Sequence, residues 1–322
     1  MKKRAMSLQE KRQEMPIIEA YQVFRRVKVN NNLSPRTIKH YDDTMALFQS
    51  FFDDADDEVY SSSITRDTIE EFIEFIKARN PEIRARSINS YLSNLRTILY
   101  YFMERGYMSD FPIKLLKVDE SLKETYTDHE INLLVQKPNL KKCDFSEYRN
   151  WVITCYLLGT GNRLGTVCEL KNKDIDFYSN TIHLRRVKTR KAYTFPLSSA
   201  LEKVLTEYMQ YRKGEPDDYL FCNRYGSKLL ESSLNTAIYR YNRKRGVNKT
   251  SVHLYRSTFA KTYITNGGDI ARLQKLLGHS TPTMSLKYAK MFDTDLDYHF
   301  DERNPLDAHI TIRKNEALKM AK

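Results

Sequence analysis

The chain has 322 residues, a length that accommodates two domains of ordinary size. It carries 53 lysines and arginines against 41 aspartates and glutamates, and the formal net charge of +12 makes a polyanion the natural partner. No stretch reaches the roughly 18 consecutive apolar residues that a membrane span needs, and the polar start of the chain lacks the apolar core of a signal peptide. We therefore expect a soluble, intracellular protein.

Two common kinds of cofactor site are missing from the sequence. The four cysteines, Cys143, Cys155, Cys168 and Cys222, lack the spacing of a zinc site, so we interpret them as free thiols in the core. No glycine-rich motif of the kinds that bind a nucleotide phosphate occurs. We expect the protein to use no metal and no cofactor.

Residues 17–106 have a helical pattern throughout. After a helix near residues 17–28, Ser34 can cap the next helix and Pro35 can occupy its first position. Apolar residues then recur at steps of three and four, at Ile38, Tyr41, Met45, Phe48 and Phe52. Two further segments of this kind follow, and the second ends at Gly106, which suits a helix C-terminus. We predict a helical domain over residues 17–111, preceded by a basic N-terminal extension, residues 1–16.

Residues 112–125 are polar and aperiodic, and we interpret them as a linker to a second domain over residues 126–290. That domain begins with helical stretches and then alternates like strands, with breaks at Ser179 and Asn180 and at the charged turn from Lys188 to Lys191. Helices resume near Ser198. We predict a mainly α-helical fold with a small antiparallel β-sheet, followed by a tail over residues 291–322.

The second domain carries five short motifs: TGNR, VKTRK, HLYR, LGH and KY. They contain Arg163, Lys188, His253, Arg256, His279 and Tyr288. Each motif is weak alone, because 22 tyrosines and 53 basic residues make chance matches easy. Taken singly, these residues suggest a surface arginine, a solvated turn, structural histidines and an aromatic residue on a helix surface. The order and spacing of the motifs are more specific than any one of these residues.

In this order the motifs resemble those of the tyrosine recombinase, or phage integrase, family, and the resemblance covers about residues 15–290. It implies a helical, SAM-like core-binding domain followed by a mixed α+β catalytic domain. The site residues that it implies are the phosphate-binding Arg163 and Arg256, the general acid Lys188, the flanking His253 and His279, and the nucleophile Tyr288. Lys191 lies in the same basic turn and is a rival for the role of the acid.

These residue types suit phosphodiester transfer. A phosphate under attack gains negative charge on its oxygens, and planar guanidinium groups stabilise that charge with paired hydrogen bonds. A phenol with an ordinary pKa of about 10 must lose its proton to a neighbouring base or have its pKa lowered by cations. The leaving 5′ oxygen needs a proton, which a lysine on a mobile turn can deliver.

Two residues depart from the common pattern of the family. Thr166 stands where an acid is common, and Ser257 stands where many members have a second histidine. Neither departure removes a charge that the chemistry requires, so they affect the choice of subfamily and not the reaction. The extension before residue 17 is too short for the arm-binding domain of some integrases, which favours a simple integrase or Xer-like layout.

The resemblance implies a site-specific DNA recombinase of the integrase or transposase type that acts through a 3′-phosphotyrosine intermediate. The partners that it implies are double-stranded DNA target sites, three further copies of the chain in a tetramer on two duplexes, and an accessory directionality factor. It also implies a cytoplasmic, nucleoid-associated protein of a prokaryote, serving a phage, a transposon or the chromosome. A type IB topoisomerase and a catalytically degenerate DNA-binding regulator are the alternatives. The helical first domain and LGH favour the recombinase over the topoisomerase, and the intact set of six site residues argues against the regulator.

Further predictions concern the basic and acidic surfaces. The side chains expected to bind DNA are Arg36, Lys39, Arg86 and Arg96 in the first domain, and Arg240, Arg243, Lys244 and Arg245 before HLYR. The tail carries a run of carboxylates from Asp293 to Glu302, which a phosphate backbone would repel. We therefore expect the tail to leave the DNA, and the resemblance implies that it docks on a neighbouring protomer.

Overall fold

Residues 14–53, 58–118, 124–184, 193–279 and 281 are described by the computed structural model. The chain divides into an N-terminal unit, Met1–Ser121, and a C-terminal unit, Leu122–Lys322. Among the described residues, no helix has the length and apolar character needed to cross a membrane.

The described part of the N-terminal unit is built from helices α1 (Ile17–Asn30), α2 (Pro35–Gln49), α3 (Arg66–Arg79) and α4 (Ala85–Glu104). Local sequence signals set their ends. The hydroxyl oxygen of Ser34 accepts a hydrogen bond from the backbone N–H of Thr37 at 3.2 Å, with Pro35 in the first turn of α2. Thr65 and Thr68 form a capping box at the start of α3. The predicted helical domain is therefore confirmed in its fold.

An aromatic core holds these helices together. Phe24, Phe48, Phe72 and Phe102 are fully buried, one from each helix. The rings of Phe48 and Phe72 meet edge to face with centroids 4.9 Å apart, a favoured geometry for aromatic pairs. The apolar residues that recur along these helices in the sequence thus pack together in one shared core.

Packing onto this unit continues beyond α4. The side-chain amide of Asn89 donates to the carbonyl oxygen of Leu116 at 2.9 Å, and its oxygen accepts from the backbone N–H of Leu116 at 2.8 Å. Ile113 is buried in the same core. The first residues of the predicted linker are therefore part of the N-terminal unit in this structure.

The C-terminal unit combines helices with a small sheet. Its helices are α5 (Asp128–Val135), α6 (Phe145–Thr160), α7 (Leu164–Glu169), α8 (Ser199–Arg212), α9 (Glu231–Lys244), α10 (Val252–Thr265) and α11 (Ile270–Leu277). Its strands are β1 (Ile175–Asp176), β2 (Thr181–Leu184) and β3 (Tyr193–Pro196). The strands are antiparallel in the order β1-β2-β3, with Ile182 opposite Phe195. The predicted mainly helical fold with a small antiparallel sheet is confirmed.

Helix α6 forms the centre of this unit. It packs against α5, α8, α9 and α10, and its apolar residues are consequently buried on several sides. Val152, Ile153 and Leu157 are fully buried, and the indole N–H of Trp151 donates to the carbonyl oxygen of Val135 at 2.8 Å. Because α6 is enclosed in this way, its C-terminal end is a fixed point from which the next residues leave.

A buried hydrogen-bond network holds α9 against α10. The hydroxyl of Tyr255 donates to the side-chain oxygen of Asn242 at 2.7 Å, and the amide of Asn242 donates to the hydroxyl oxygen of Tyr126 at 2.9 Å. Burial raises the pKa of both tyrosines, so both hydroxyls stay protonated. Since Tyr255 precedes Arg256, this network fixes the part of α10 that carries the candidate phosphate-binding residue.

Candidate active site

The turn that begins the site depends on a glycine. Helix α6 ends at Thr160, and Gly161 takes the left-handed conformation with φ of +61°. A Cβ atom at this position would lie 2.7 Å from a ring carbon of Phe259 and 3.0 Å from a methyl carbon of Leu277. Both the backbone conformation and the close packing therefore require glycine. The turn brings Arg163 to the N-cap position of α7.

Arg256 lies where three helices meet. Its side chain is buried, with 4% of its surface exposed. One guanidinium nitrogen, Nη1, donates to the carbonyl oxygen of Gly161 at 2.8 Å, and Nη2 donates to that of Leu277 at 2.7 Å. These carbonyls end α6 and α11, where helix dipoles concentrate negative charge. The two bonds fix the plane and direction of the guanidinium group.

Three of the six predicted catalytic residues line one cavity of about 250 Å³. Arg163 enters from the turn after α6, and His253 and Arg256 enter from α10, three residues apart and thus on one face of the helix. Asn162 and Asn235 contribute polar groups to the same wall. The cavity is open to solvent at His253, which is exposed, and closed at the buried Arg256. It can therefore receive an anionic group from the protein surface.

His279 follows the end of α11. Gly278 ends this helix in the left-handed conformation with φ of +59°, as the LGH motif predicts. The backbone N–H of His279 donates to the carbonyl oxygen of Gln274 at 3.0 Å, and its side chain is almost fully buried. Because Arg256 binds the carbonyl of Leu277, it holds the same turn that carries His279.

Tyr193 is a site residue that the sequence interpretation missed. Its hydroxyl donates to the carbonyl oxygen of Leu276 at 3.3 Å, next to the carbonyl that binds Arg256. Burial raises the pKa of Tyr193, although the positive charges of Arg256 and Arg163 act in the opposite direction. A tyrosine at the end of the predicted charged turn was the available signal, but a strand tyrosine alone does not indicate a site.

Asn162 is the second residue that was missed. It is buried, and its amide donates to the hydroxyl oxygen of Tyr156 at 2.8 Å, which fixes the residue before Arg163. The TGNR motif contains Asn162, but only the fold shows that it lines the cavity. Lys188, its rival Lys191 and Tyr288 lie outside the described residues.

In the N-terminal unit, the side chains predicted to bind DNA lie on α2 and α4. Arg36, Lys39 and Arg86 are exposed, and Arg96 is half-buried. The two helices pack together, and Asn94 of α4 donates to the hydroxyl oxygen of Thr44 at 3.0 Å. The basic residues of this group therefore belong to two adjoining helices.

In the C-terminal unit, the basic residues at the end of α9 differ in how they contact the rest of the protein. Arg240 is exposed. Arg243 donates to the side chain of Asn248 at 2.5 Å, and Lys244 forms an ion pair with Glu147 at 2.7 Å. Arg245 donates to the carbonyl oxygen of Leu133 at 3.1 Å and lies over the ring of Tyr241. Arg243, Lys244 and Arg245 thus also bind the protein itself.

Within the described part of the chain, no group of three or more histidine, cysteine, aspartate or glutamate side chains is arranged to hold a metal ion. The four cysteines are free thiols, of which Cys168 and Cys222 are buried and Cys143 and Cys155 are partly buried. Burial raises the pKa of the Cys155 thiol to about 12 and that of Cys168 to about 11, so both are unreactive at neutral pH.

Comparison with known proteins gives a consistent result for both units. Residues 124–294 match the model of the phage integrase family, and residues 20–120 match that of the phage integrase SAM-like domain. A tyrosine recombinase of Pseudothermotoga lettingae is 25% identical over 275 residues, which cover 85% of this chain and 93% of that protein.

Two solved structures share the fold. The first is the Tn1549 transposon integrase in complex with a circular intermediate DNA, with a TM-score of 0.70 and 20% identity over 85% of this chain and 95% of that one. The second is a lambda integrase tetramer bound to a Holliday junction, with a TM-score of 0.68 and 16% identity over 85% of this chain and 77% of that one. Both resemblances extend over most of the described residues.

Proposed function

Because the chain belongs to the phage integrase family, we propose that it is a site-specific DNA recombinase that cleaves and rejoins DNA strands through a 3′-phosphotyrosine intermediate. The observation that carries this proposal is the cavity in which Arg163, His253 and Arg256 converge. A buried guanidinium held by two helix ends is a preorganised site for the charge of a phosphate in transfer.

The two arginines hold the scissile phosphate. Arg256 is fixed by its bonds to the carbonyls of Gly161 and Leu277, so it needs no reorganisation when charge develops on the phosphate oxygens. Arg163 reaches the same cavity from the N-cap of α7. Guanidinium groups bind two oxygens at once, which a lysine ammonium does not reproduce.

The remaining roles follow the family order of the motifs. The phenol oxygen of Tyr288 forms a bond to phosphorus and gives its proton to a neighbouring base, with His253 and His279 beside the phosphate. The bond from phosphorus to the 5′ oxygen breaks, and that oxygen takes a proton from the ammonium group of Lys188. The 5′-hydroxyl of the partner duplex then attacks the phosphotyrosine and releases Tyr288. The covalent link retains the energy of the ester, so strand joining needs no ATP.

DNA binding uses both units. The exposed Arg36, Lys39 and Arg86, with Arg96, supply phosphate contacts from α2 and α4. In the C-terminal unit, Arg240 fits this role best, because Arg243, Lys244 and Arg245 already bind protein groups. The net charge of +12 supports this assignment.

The assembly that we propose is a tetramer on two DNA duplexes, in a cytoplasmic, nucleoid-associated setting in a prokaryote. The lambda integrase tetramer on a Holliday junction supports it through the shared fold. The element served is a phage, a transposon or the chromosome, and a directionality factor is a further proposed partner. In this scheme residues 17–111 form the core DNA-binding domain and 126–290 the catalytic domain, and the first residues of the 112–125 linker pack on the former.

Residues 291–322 are proposed to dock on a neighbouring protomer. The carboxylates from Asp293 to Glu302 oppose contact with DNA, and Ile310, Ile312 and Leu318 offer apolar anchors beyond them. Truncation after Asn304 should leave the binding of one protomer to a half-site nearly unchanged and should weaken assembly on full sites. Gel shifts on half-sites and full sites measure both effects. Equal assembly and recombination by the truncated and full chains would show that the tail is dispensable.

The decisive experiment replaces the nucleophile. Tyr288→Phe should bind DNA as the unaltered protein does and form no covalent adduct on a nicked suicide duplex built from DNA that flanks its gene. Tyr178→Phe is the matched control, because Tyr178 is fully exposed in the same unit and should leave the adduct unchanged. An SDS-resistant adduct with the Tyr288→Phe protein would assign the nucleophile to another residue.

A further inference from the structure

Tyr193 lies where the charged turn predicted from the sequence ends and strand β3 begins. It is the first residue of β3 and pairs with Leu184, the last residue of β2. The chain between them, residues 185–192, contains Lys188, the candidate general acid. Whatever fixes Tyr193 therefore fixes one end of the segment that carries Lys188.

The side chain of Tyr193 contacts the end of α11. Its hydroxyl donates to the carbonyl oxygen of Leu276 at 3.3 Å. Its ring lies so close to Gly278 that a Cβ atom added there would be 3.3 Å from the ring carbon Cε1 and from the hydroxyl oxygen. The residue between these two contacts, Leu277, supplies the carbonyl that binds Arg256. Tyr193 and Arg256 therefore hold the same helix end.

A second contact of the same strand supports this attachment. Phe195 of β3 packs on Phe259 of α10, with ring centroids 6.3 Å apart. Phe259 is also the residue with which any side chain at position 161 would clash. Strand β3 is thus packed against the helices that form the arginine site, with Tyr193 nearest to the turn.

The charge state of Tyr193 suits a hydrogen-bond donor. Burial raises the pKa of its phenol, against the opposing charges of Arg256 and Arg163. The hydroxyl therefore remains protonated at neutral pH and can donate to the carbonyl of Leu276.

We propose that Tyr193 is a positioning residue for leaving-group protonation, tying the turn that carries Lys188 to the helix end that holds Arg256 and His279. This inference rests on the proposed function, in which Lys188 is the general acid. The lysine side chain is long and flexible, so the position of its backbone decides whether the ammonium reaches the 5′ oxygen. A misplacement of about 1 Å in such a site can cost on the order of a hundredfold in rate.

A substrate with sulfur in place of the bridging 5′ oxygen tests this role. A thiolate leaves without taking a proton, because the free thiol has a pKa of about 8.5. An oxygen leaving group, in contrast, needs a proton from a general acid. Tyr193→Ala should slow adduct formation on the oxygen duplex by about tenfold to a hundredfold. It should slow adduct formation on the sulfur duplex by less than about threefold. Tyr193→Phe should lose about threefold to tenfold on the oxygen duplex only, since it removes one neutral hydrogen bond.

Equal losses on the two duplexes would overturn the proposal, because a general loss of folding or DNA binding affects both. An unchanged rate of Tyr193→Ala on the oxygen duplex would overturn it as well. Tyr178→Phe serves again as the control for the loss of an exposed phenol in the same unit. Tyr193→Phe keeps the ring and so keeps the test valid if the alanine variant does not fold.

Lys188→Ala, measured on the same two duplexes, separates this inference from the function on which it rests. Rescue of Lys188→Ala by sulfur, without rescue of Tyr193→Ala, would reject the role of Tyr193 and retain Lys188 as the acid. Failure of sulfur to rescue Lys188→Ala would reject the assignment of the acid itself, and the role of Tyr193 with it.

Discussion

The two units of the molecule differ in what they bury. Among the described residues, the buried polar side chains of the N-terminal unit are Thr44 and Ser61. Those of the C-terminal unit are Arg149, Asn150, Thr154, Thr160, Asn162, Asn172, Asp174, Asn242, Arg256, Ser257, Thr258 and His279. The first unit is therefore held mainly by apolar packing, and the second also by directional bonds.

This difference matches the work that each unit does. Apolar packing is tolerant of small changes in position, whereas a buried cation is stable only when its N–H groups find acceptors. Arg149 shows the second case outside the site: it donates to the carbonyl of Cys222 at 2.8 Å and to the side chain of Asn150 at 2.9 Å. Desolvation lowers its pKa. Such bonds hold helix ends in one arrangement, as catalysis requires.

The largest expected effect concerns the two arginines of the site. Arg256→Lys and Arg163→Lys should each reduce strand cleavage by about a hundredfold to a thousandfold, although the charge is kept, because the guanidinium plane is lost. Adduct formation on a suicide duplex measures the effect. Cleavage within about threefold of the unaltered protein for both variants would reject the phosphate-binding role.

The two variants should differ in stability. Arg256→Lys leaves a carbonyl of Gly161 or Leu277 without its donor and should cost about 1–3 kcal/mol in free energy of unfolding. Arg163 is half-buried at the N-cap of α7, so its replacement should cost about 0.5 kcal/mol or less. Denaturation in urea distinguishes these values. Equal losses of stability in the two variants would contradict the role of Arg256 in holding the ends of α6 and α11.

The next effect concerns the apolar core of the N-terminal unit. Phe48→Ala should lower the free energy of unfolding of this unit by about 3–5 kcal/mol, because Phe48 is fully buried among Phe52 and Phe72. The rate of adduct formation by folded, DNA-bound protein should stay within about threefold. Ile18→Ala, at an exposed position of α1, is the control and should change stability by about 0.5 kcal/mol or less. A large loss of cleavage rate in the bound Phe48→Ala protein would mean that the core also shapes the site.

The smallest effect is a pH dependence in the C-terminal unit. Burial alone would raise the pKa of Glu130, but hydrogen bonds from the backbone of Thr127 and from Lys249, at 2.9 Å, outweigh it and lower that pKa. Ionised Glu130 therefore stabilises the fold above its unfolded pKa of about 4.3, and this contribution is lost as the pH falls through the lower folded pKa.

Glu130→Gln should cost on the order of 1 kcal/mol or less at pH 7 and progressively less as the pH falls through the folded pKa of Glu130. Glutamine can still take part in the capping box, so the variant removes the charge alone. Asp128→Asn, which removes an exposed charge from the same turn, is the control. Thermal unfolding across this pH range gives the comparison, and a difference that does not vary with pH would contradict the assignment.

Much of the N-terminal unit could be predicted from the sequence because its signals are local. Ser34 and Pro35 mark the start of α2, and the spacing from Ile38 to Phe48 marks its buried face. These features act within one or two turns of helix. They therefore predict both the helices and the side of each helix that enters the core.

In the C-terminal unit, the sequence determined the residue types and their order along the chain: Arg163, His253 and Arg256, and the glycine that ends α11 before His279. The tertiary structure alone decided which carbonyls bind Arg256, why Gly161 admits no side chain, and that Tyr193 reaches the end of α11. Periodicity and capping report on neighbours along the chain, whereas these contacts join residues far apart in sequence. The partners of Arg256 and Tyr193 are backbone carbonyls, which every residue carries and no residue type reveals.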